Sequence, residues 1–286
     1  SFREAADKCN AAQPTLSNGV AALEQELGGR LFERTTREVK LTALGRYVLP
    51  YLQAILTDQN ELLQAVRSYK DPDHKLLRVG MSPLIDLRTL ERALTPYRRQ
   101  FPDVKILFKE CLVDDLLERL LTDKLDIGLR VMDEAPTSLQ AMHAYSERLF
   151  YLPQEIDGVA ERMREWRLSN LPNSQIICTN GACGLNGALE RLFRSQGVEL
   201  ELYPGFALSY HIIEEWTELG VGAAILPESK ISSTNSTAGP LLCNNGEPAT
   251  FHYEWVFRSI TMSTTPPHIC AFRDHIQKVA PALLKS

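Results

Sequence analysis

The sequence lacks any run of about 18 apolar residues, the length that a helix needs to cross a bilayer. Its first seven residues carry three charges and no apolar core, so they are unlike a secretion signal. The 6 cysteines are scattered along 286 residues without a Cys-x-x-Cys pair, which argues against a disulfide framework and a cysteine-based zinc site. These absences predict a cytoplasmic protein with reduced thiols and no membrane contact.

Signatures of catalysis are also missing. The chain has no Gly-x-Ser-x-Gly, no His-Glu-x-x-His and no phosphate-binding Gly-Lys-Ser/Thr loop. Its 6 histidines show no metal-ligand spacing. We therefore expect no enzyme activity, no metal and no cofactor.

The charge is unevenly distributed. A net charge of −5 argues against a protein that coats nucleic acid along its whole surface. Residues 28–46 are nevertheless basic, because five basic residues stand against two acidic ones. The basic residues are Arg30, Arg34, Arg37, Lys40 and Arg46, and the acidic ones are Glu33 and Glu38. Such a segment suits a small DNA-contacting element attached to a domain with another task.

Two helices are predicted at the start of the chain. Ser1 and Glu4 have the spacing of a capping box, which predicts a helix that runs to about residue 9. A second helix is predicted over about 13–27, because apolar residues recur there at helical spacing and define a face that we expect to be buried. These residues are Leu16, Val20, Leu23 and Leu27.

A wing and a long helix are predicted next. Two short strands, at about 30–35 and 39–42, flank a basic turn, and Thr42 is a good N-cap for a helix over 43–70. Apolar residues of that helix recur at steps of three and four, interrupted only by Gln59. They are Val48, Leu52, Ile55, Leu62 and Val66. This seam favours a dimer interface, and the alternative is that it packs against its own chain.

From residue 76 onward, short apolar strands alternate with helices, which predicts an α/β architecture with parallel strands. The pattern occurs twice, so we expect two lobes within 76–286. Lobe 1 is predicted at about 76–150 and 250–286, and lobe 2 at about 151–249. Ligands of open α/β sheets bind beyond the carboxyl ends of the strands, near helix N-termini.

Several segments carry a resemblance to a known family. In the first 45 residues they are Ser-Phe-Arg-Glu-Ala-Ala at 1–6, Gln-Pro-Thr-Leu-Ser at 13–17, Leu-Glu-Gln-Glu-Leu-Gly at 23–28, Arg-Leu-Phe-Glu-Arg at 30–34 and Leu-Thr-Ala-Leu-Gly at 41–45. Later ones are Leu-Arg-Val-Gly at 77–80, Phe-Pro-Asp-Val at 101–104, Leu-Asp-Ile-Gly at 125–128 and Gly-Val-Gly-Ala-Ala-Ile-Leu-Pro at 220–227. Together they resemble LysR-type bacterial transcription regulators over essentially the whole chain.

The resemblance implies three parts: a winged helix-turn-helix DNA-binding domain at 1–42, a linker and dimerisation helix at 43–70, and a periplasmic-binding-protein-like effector domain at 76–286. It implies double-stranded operator DNA and a small-molecule effector as partners. It also implies self-association to a dimer or to a homotetramer built as a dimer of dimers.

The chain departs from the family pattern in three ways. Family members carry a helix before the segment that begins here at Ser1, so we expect the first helix of the winged helix-turn-helix to be missing. Position 12, where the family has a capping serine, is Ala12, so the recognition helix is expected to start differently. Basic residues of the family are replaced by Asn18, Ala21 and Ala22, which weakens phosphate attraction.

The expected DNA contacts fall into two sets. Residues at the start of the recognition helix are expected to reach base edges in the major groove, namely Gln13, Pro14, Thr15, Ser17 and Asn18. Arg30 and Arg34 would bind phosphates, and Arg37 at the tip of the turn would enter a narrow minor groove. The alternative for every one of these residues is an ordinary solvated surface.

The expected effector contacts lie at strand ends in both lobes. They are Ser82, Arg130, Thr179, Asn180, Gly181, Ser209 and Tyr210. Hydroxyls and amides at helix N-termini suit a small anion, and Arg130 could add a positive charge between the lobes. The alternatives are a neutral ligand held by the same hydroxyls, and plain turn chemistry.

Two alternative functions remain open. Cys183 lies close to the position of the reactive cysteine in peroxide-sensing family members, although no Arg, Lys or His lies between it and Cys178. A redox sensor is therefore one alternative. A cytoplasmic binding protein that uses only the two-lobed domain is the other.

Overall fold

The computed structural model describes residues 1–34, 39–70, 75–134, 136–155, 165–179, 184–258 and 265–283. The chain divides into two compact units, Ser1–Asp73 and His74–Ser286. Among the described residues, no helix is both long and apolar enough to span a bilayer.

The first unit contains three helices and a hairpin. Its elements are α1 (Phe2–Lys8), α2 (Gln13–Glu26), β1 (Phe32–Arg34), β2 (Val39–Leu41) and α3 (Ala43–Lys70). The capping box at the start of α1 is present, since the Ser1 hydroxyl accepts from the Glu4 amide at 3.3 Å. Ala12 provides no side-chain cap, yet α2 begins directly after it with Pro14 in its first turn. Proline fixes φ at a helical value and has no N–H to satisfy, which suits this position.

One face of α2 differs from its prediction. Leu16, Val20 and Leu23 are only half-buried and Leu27 is 43% exposed, so the expectation of a buried face is wrong for the described chain. The described residues leave this side of the helix open, as an apolar groove of about 330 Å³. The groove is lined by Ala11, Thr15, Leu16, Gly19, Val20 and Leu23.

The predicted wing is an antiparallel hairpin in which Phe32 pairs with Leu41 and Arg34 with Val39. Glu24 of α2 anchors its start, because one carboxylate oxygen accepts from the Leu31 amide at 2.7 Å and from the Phe32 amide at 3.1 Å. The hairpin therefore starts at a fixed position relative to α2. The tip at 35–38, which includes Arg37, lies outside the described residues.

Thr42 joins the wing to α3. Its hydroxyl donates to the Arg30 carbonyl at 2.7 Å and accepts from the Gly45 amide at 2.9 Å, which confirms the predicted N-cap. Gly45 lies so close to Leu31 that a Cβ there would come within 2.2 Å of the Leu31 carbonyl oxygen. Only glycine permits this approach.

The second unit alternates strands and helices. Its elements are β3 (Lys75–Met81), α4 (Leu87–Gln100), β4 (Val104–Glu110), α5 (Val113–Leu121), β5 (Ile127–Val131), β6 (Leu139–Leu152), β7 (Trp166–Arg167), β8 (Ile176–Thr179), α6 (Leu185–Gln196), β9 (Leu202–Ala207), α7 (Tyr210–Glu218), β10 (Ala224–Pro227), β11 (Gly239–Leu242), β12 (Thr250–Arg258) and α8 (Pro267–Leu283). The predicted alternation of strands and helices from residue 76 onward is found.

The strand β6 belongs to two groups of elements. Its first part pairs with β12 as far as Arg148, and from Leu149 onward it pairs with β10. We name β3–β5, β12, α4, α5 and α8 lobe 1, and β7–β11, α6 and α7 lobe 2. The sheet order β4-β3-β5-β12-β6 places lobe 1 on one part of β6.

The expectation of purely parallel sheets is wrong in lobe 1. β4, β3 and β5 are parallel, but β12 is antiparallel to both β5 and β6. The reason lies in the path of the chain, since β6 leads out of lobe 1 and β12 leads back into it.

The contact between Glu24 and the wing gives a first prediction. Glu24→Ala removes the acceptor of two backbone amides, so the amides of Leu31 and Phe32 should exchange with solvent at least tenfold faster, about 1.4 kcal/mol of lost protection. Hydrogen exchange followed by mass spectrometry measures this rate. The control is Glu26→Ala, an exposed carboxylate on the same helix. Equal exchange in both variants would show that Glu24 does not anchor the wing.

Candidate functional site

The exposed edge of α2 carries most of the expected base-reading residues. Gln13, Pro14, Thr15 and Asn18 are exposed, whereas Ser17 is half-buried. Arg30, which precedes the wing in the sequence, is exposed, and Arg34 is the last residue of β1. Amide and hydroxyl groups of this kind can reach base edges in a major groove.

In lobe 1, Ser82 lies directly after β3 and is 2% exposed. Its amide donates to the Leu129 carbonyl at 2.9 Å, and its hydroxyl accepts from the Leu84 amide at 3.2 Å. Ser82 therefore shapes the loop that leads into α4.

The start of α4 already holds an anion. The Asp86 carboxylate accepts from the Arg88 amide at 3.0 Å and from the Thr89 amide at 3.1 Å. Burial opposes the charge of Asp86, but hydrogen bonds from Thr89 and from these amides outweigh it and hold its pKa below the ordinary value. The expectation that free amides near Ser82 attract an anionic ligand is therefore wrong, because the protein's own carboxylate occupies them.

Arg130 at the end of β5 is not a free charge between the lobes. It is 1% exposed, and its Nη2 lies 2.8 Å from Oε1 of Glu254 on β12. Its Nη2 also donates to the carbonyls of Asp133 at 3.0 Å and Glu134 at 3.2 Å. The expected role for Arg130 needs correction: the guanidinium is neutralised inside lobe 1, since a buried charge requires a partner.

In lobe 2 the expected residues lie at the ends of β8 and β9. Thr179 ends β8 and is 6% exposed, while Asn180, Gly181 and Cys183 lie outside the described residues. Ser209 caps α7 by accepting from the Ile212 amide at 3.4 Å, and half-buried Tyr210 is the first residue of that helix.

The side chains of Arg191 and Lys230 reach from lobe 2 to lobe 1. Arg191 on α6 donates to the Asp133 carboxylate at 2.8 Å and to the Met132 carbonyl at 3.2 Å. Lys230, which follows β10, donates to the Ile85 carbonyl at 2.8 Å. These contacts bring the loops at the carboxyl ends of the lobe 1 strands against lobe 2.

Lys230 has an acidic neighbour at this junction. Glu147 on β6 accepts from the Ser229 amide at 2.6 Å. Burial raises the pKa of the Glu147 carboxyl, and burial lowers the pKa of the Lys230 ammonium. The surroundings of Glu147 and Lys230 are therefore poorly solvated, and in such surroundings each hydrogen bond counts for more.

Among the described helices α4–α7, only α6 has neither a side-chain cap nor an acidic residue in its first turn. Its N-cap Gly184 has φ of 93° and gives no side-chain cap, and the first turn of α6 contains no acidic residue. By contrast, α5 carries Asp114 and Asp115 in its first turn, and Asp86 and Ser209 cap α4 and α7. The uncapped amides and partial positive charge of α6 suit an anion.

Two family descriptions match the chain. "Bacterial regulatory helix-turn-helix protein, lysR family" matches residues 1–46, and "LysR substrate binding domain" matches residues 70–281. The chain belongs to the LysR family. It is a DNA-binding transcription regulator with an effector-binding domain, and the family consists of regulators rather than enzymes.

Relatives of this LysR regulator support the same assignment. The hydrogen peroxide-inducible genes activator of Haemophilus influenzae is 25% identical over 256 residues, which cover 87% of this chain and 82% of that protein. The crystal structure of CbnR, a LysR family transcriptional regulator, has a TM-score of 0.67 at 18% identity, and the match covers 98% of this chain and 94% of that one. Full-length CbnR complexed with its target DNA has a TM-score of 0.59 at 19% identity and the same coverage. The solved structures thus share the fold.

Sequence reasoning about this LysR regulator missed three polar residues. Asp86 precedes a helix and could have been found, because aspartate is a preferred N-cap. Glu254 and Arg191 gave no such signal. Glu254 lies 124 positions from Arg130 in sequence, and nothing local links the two.

The buried ion pair gives a second prediction. Glu254→Gln leaves the Arg130 charge without its carboxylate in the core of lobe 1, so it should lower the free energy of unfolding by about 3–5 kcal/mol. Denaturant unfolding followed by tryptophan fluorescence measures this, because Trp166, Trp216 and Trp255 all belong to the second unit.

The matched control is Glu228→Gln. Glu228 pairs with Arg148 at 3.2 Å, but both side chains are more than half exposed, so the loss should stay below about 1 kcal/mol. If the two variants lose similar amounts of unfolding free energy, Arg130 does not depend on Glu254 to neutralise its buried charge.

Proposed function

We propose that this LysR regulator acts in the cytoplasm, reads operator DNA with α2 and the wing, and changes its DNA binding when a small anion enters the cleft between its two lobes. The observation that carries the proposal is the pair of contacts from Arg191 and Lys230, which set the strand-end loops of lobe 1 against lobe 2. We place the lobe boundaries at 76–150 with 250–286 and at 151–249. The change of β6 from β12 to β10 at Arg148–Leu149 supports them.

For DNA recognition we assign base contacts to the exposed edge of α2. Its exposed amide and hydroxyl side chains support this, and Ser17 stays in the set as a half-buried member. Arg30 and Arg34 bind phosphates, and Arg37 enters the minor groove. The set of base-reading residues is Gln13, Pro14, Thr15, Ser17 and Asn18.

The wing assignment gives a third prediction. Arg37→Ala should weaken binding of an operator duplex, selected from random sequence with the parent protein, by roughly 1–2 kcal/mol, and most strongly at A/T-rich sites. It should also make the logarithm of the affinity less steeply dependent on the logarithm of the salt concentration, by about one released counterion, because one cation no longer enters the groove. Fluorescence anisotropy at several salt concentrations measures both. Arg99→Ala, an exposed arginine of the second unit, is the control. Unchanged affinity and salt dependence for Arg37→Ala would rule out the wing contact.

For the effector site we assign Ser82, Thr179, Asn180, Gly181, Ser209 and Tyr210 to the cleft. Arg130 supports it only indirectly, by fixing the loop at Asp133 and Glu134. The preference for an anion then rests on the start of α6, because Asp86 holds the start of α4. A ligand that binds the two lobe arrangements unequally shifts the balance between them.

The cleft assignment gives a fourth prediction. Small carboxylates, each paired with its own neutral amide, are screened by thermal shift on the full chain. A true ligand should raise the melting temperature with concentration, since it binds only the folded state. The carboxylate should raise the melting temperature and its amide should not. Thr179→Val should reduce the rise that the carboxylate causes. Equal shifts from a carboxylate and its amide would refute the anion preference.

For assembly we propose dimers through α3, joined into a homotetramer. Ile55 and Leu62 are each 63% exposed and Val66 is 40% exposed, so the described chain does not bury this part of the seam. Exposed apolar residues at heptad spacing suit a second copy.

The seam gives a fifth prediction. Leu52→Glu with Ile55→Glu should break the dimer, because paired helices would bury charges without partners. Light scattering measures the mass. The control places two acids on the same helix outside the seam, Gln53→Glu with Asn60→Asp, where both residues are exposed. If the variant with both seam substitutions has the same mass as the parent protein, the seam is not the dimer interface and packs elsewhere.

Redox sensing at Cys183 is the second candidate function. It is favoured by a relative that is named for induction by hydrogen peroxide. Cys178, the nearest other thiol in sequence, is 3% exposed within β8. Cys178 is therefore poorly accessible as a resolving thiol, so the effector cleft is the better supported function.

A further inference from the structure

A β-bulge brings three polar side chains onto one exposed face of lobe 1. Tyr253 of β12 pairs with Tyr145 of β6, but its neighbour Glu254 pairs with His143. Ala144 is therefore an extra residue in β6. A bulge shifts the alternation of side chains by one position. As a result, His143 and Ser146 lie on the same face although they are three residues apart.

The third side chain comes from the neighbouring strand. His252 pairs directly with Ser146 in the β6–β12 register. The Ser146 hydroxyl lies 3.1 Å from Nε2 of His143 and 2.7 Å from Nδ1 of His252, and the two imidazole centroids are 6.0 Å apart. Two ring nitrogens therefore point at one oxygen atom from two paired strands.

The two imidazoles have different hydrogen-bond roles at the Ser146 hydroxyl. A hydroxyl has one proton, so Ser146 can donate to only one of the two imidazoles and must accept from the other. Burial and the neighbouring His252 lower the pKa of His143. Neutral imidazole is a preferred ligand of Zn²⁺, Ni²⁺ and Cu²⁺.

The surroundings leave the cluster accessible. Ser146 and His252 are exposed, and His143 is half-buried. The cation next along this face, Arg148, is paired with Glu228 at 3.2 Å, so its charge is partly balanced. An ion can approach without displacing core residues.

We propose that Nε2 of His143 and Nδ1 of His252 bind one divalent transition-metal ion, most simply Zn²⁺. The ion displaces the Ser146 hydroxyl from between them, and the imidazole that donated to Ser146 moves its proton to its other ring nitrogen, so that both nitrogens offer a lone pair to the ion. Two protein ligands leave the remaining positions of a tetrahedral ion to water. The site therefore binds Zn²⁺ exchangeably rather than as a structural metal. It stands apart from the cleft residues assigned above, and its test is independent of the proposed function.

The site also has a place in the network that joins the lobes. The backbone carbonyl of His252 accepts from the Met132 amide at 2.7 Å, and the Met132 carbonyl accepts from Arg191. The metal site is thus adjacent to the loop that contacts lobe 2.

The test is a Zn²⁺ titration of the full chain against a chromophoric Zn²⁺ indicator. His143→Ala and His252→Ala should each weaken binding at least tenfold. Two controls should keep the affinity of the parent: His211→Ala, a histidine whose side chain is 76% exposed on α7, and Cys9→Ser, which removes an exposed thiol.

A second measurement needs no substitution. Zn²⁺ should protect His143 and His252 of the parent from diethylpyrocarbonate, as read by mass spectrometry, and should leave His211 reactive. Absence of Zn²⁺ binding by the parent would overturn the proposal. So would parent-like affinity in both histidine variants, a tenfold loss in either control, or equal labelling of His143 and His252 with and without Zn²⁺.

Discussion

The ion pair between Arg130 and Glu254 is the interaction on which the second unit depends. It joins β5 to β12 inside lobe 1, where each charge would be costly alone. The same guanidinium holds the backbone of Asp133 and Glu134, and the Asp133 carboxylate reaches Arg191 in lobe 2. A charge buried in one lobe therefore positions the loop that touches the other.

This network changes the chemistry expected of the cleft. A free arginine and an open helix start at α4 would have made lobe 1 the anion-binding side. Both are instead satisfied within the protein, Arg130 by Glu254 and the start of α4 by Asp86. Attraction for an anion is left to lobe 2, where the start of α6 has no side-chain cap. Under the proposed function, lobe 1 would give the cleft its shape and lobe 2 its charge complementarity.

Elements with a strong local signal could be predicted from the sequence. The alternation of strands and helices in the second unit is one example, and within it Leu185–Gln196 is helical because its apolar residues recur at helical spacing up to Gly197. Partners that are distant in sequence could not be predicted. The roles of Glu254 and of the bulge at Ala144 depend on strand pairing, for which a single sequence gives no register. The role of Arg191 depends on the contact of α6 with the loop at Asp133. The open face of α2 shows the same limit, since periodicity identifies an apolar face but not what covers it.

The central claim is that the cleft ligand and operator DNA act on one equilibrium. Linkage requires each to change the affinity of the other by the same factor. The most direct measurement is calorimetric titration of the carboxylate found by thermal shift into the full-length protein, with and without operator duplex. If both ligands act on one equilibrium, operator DNA changes the affinity for the carboxylate by the same factor by which the carboxylate changes the affinity for the operator. Identical carboxylate affinities with and without DNA would contradict it.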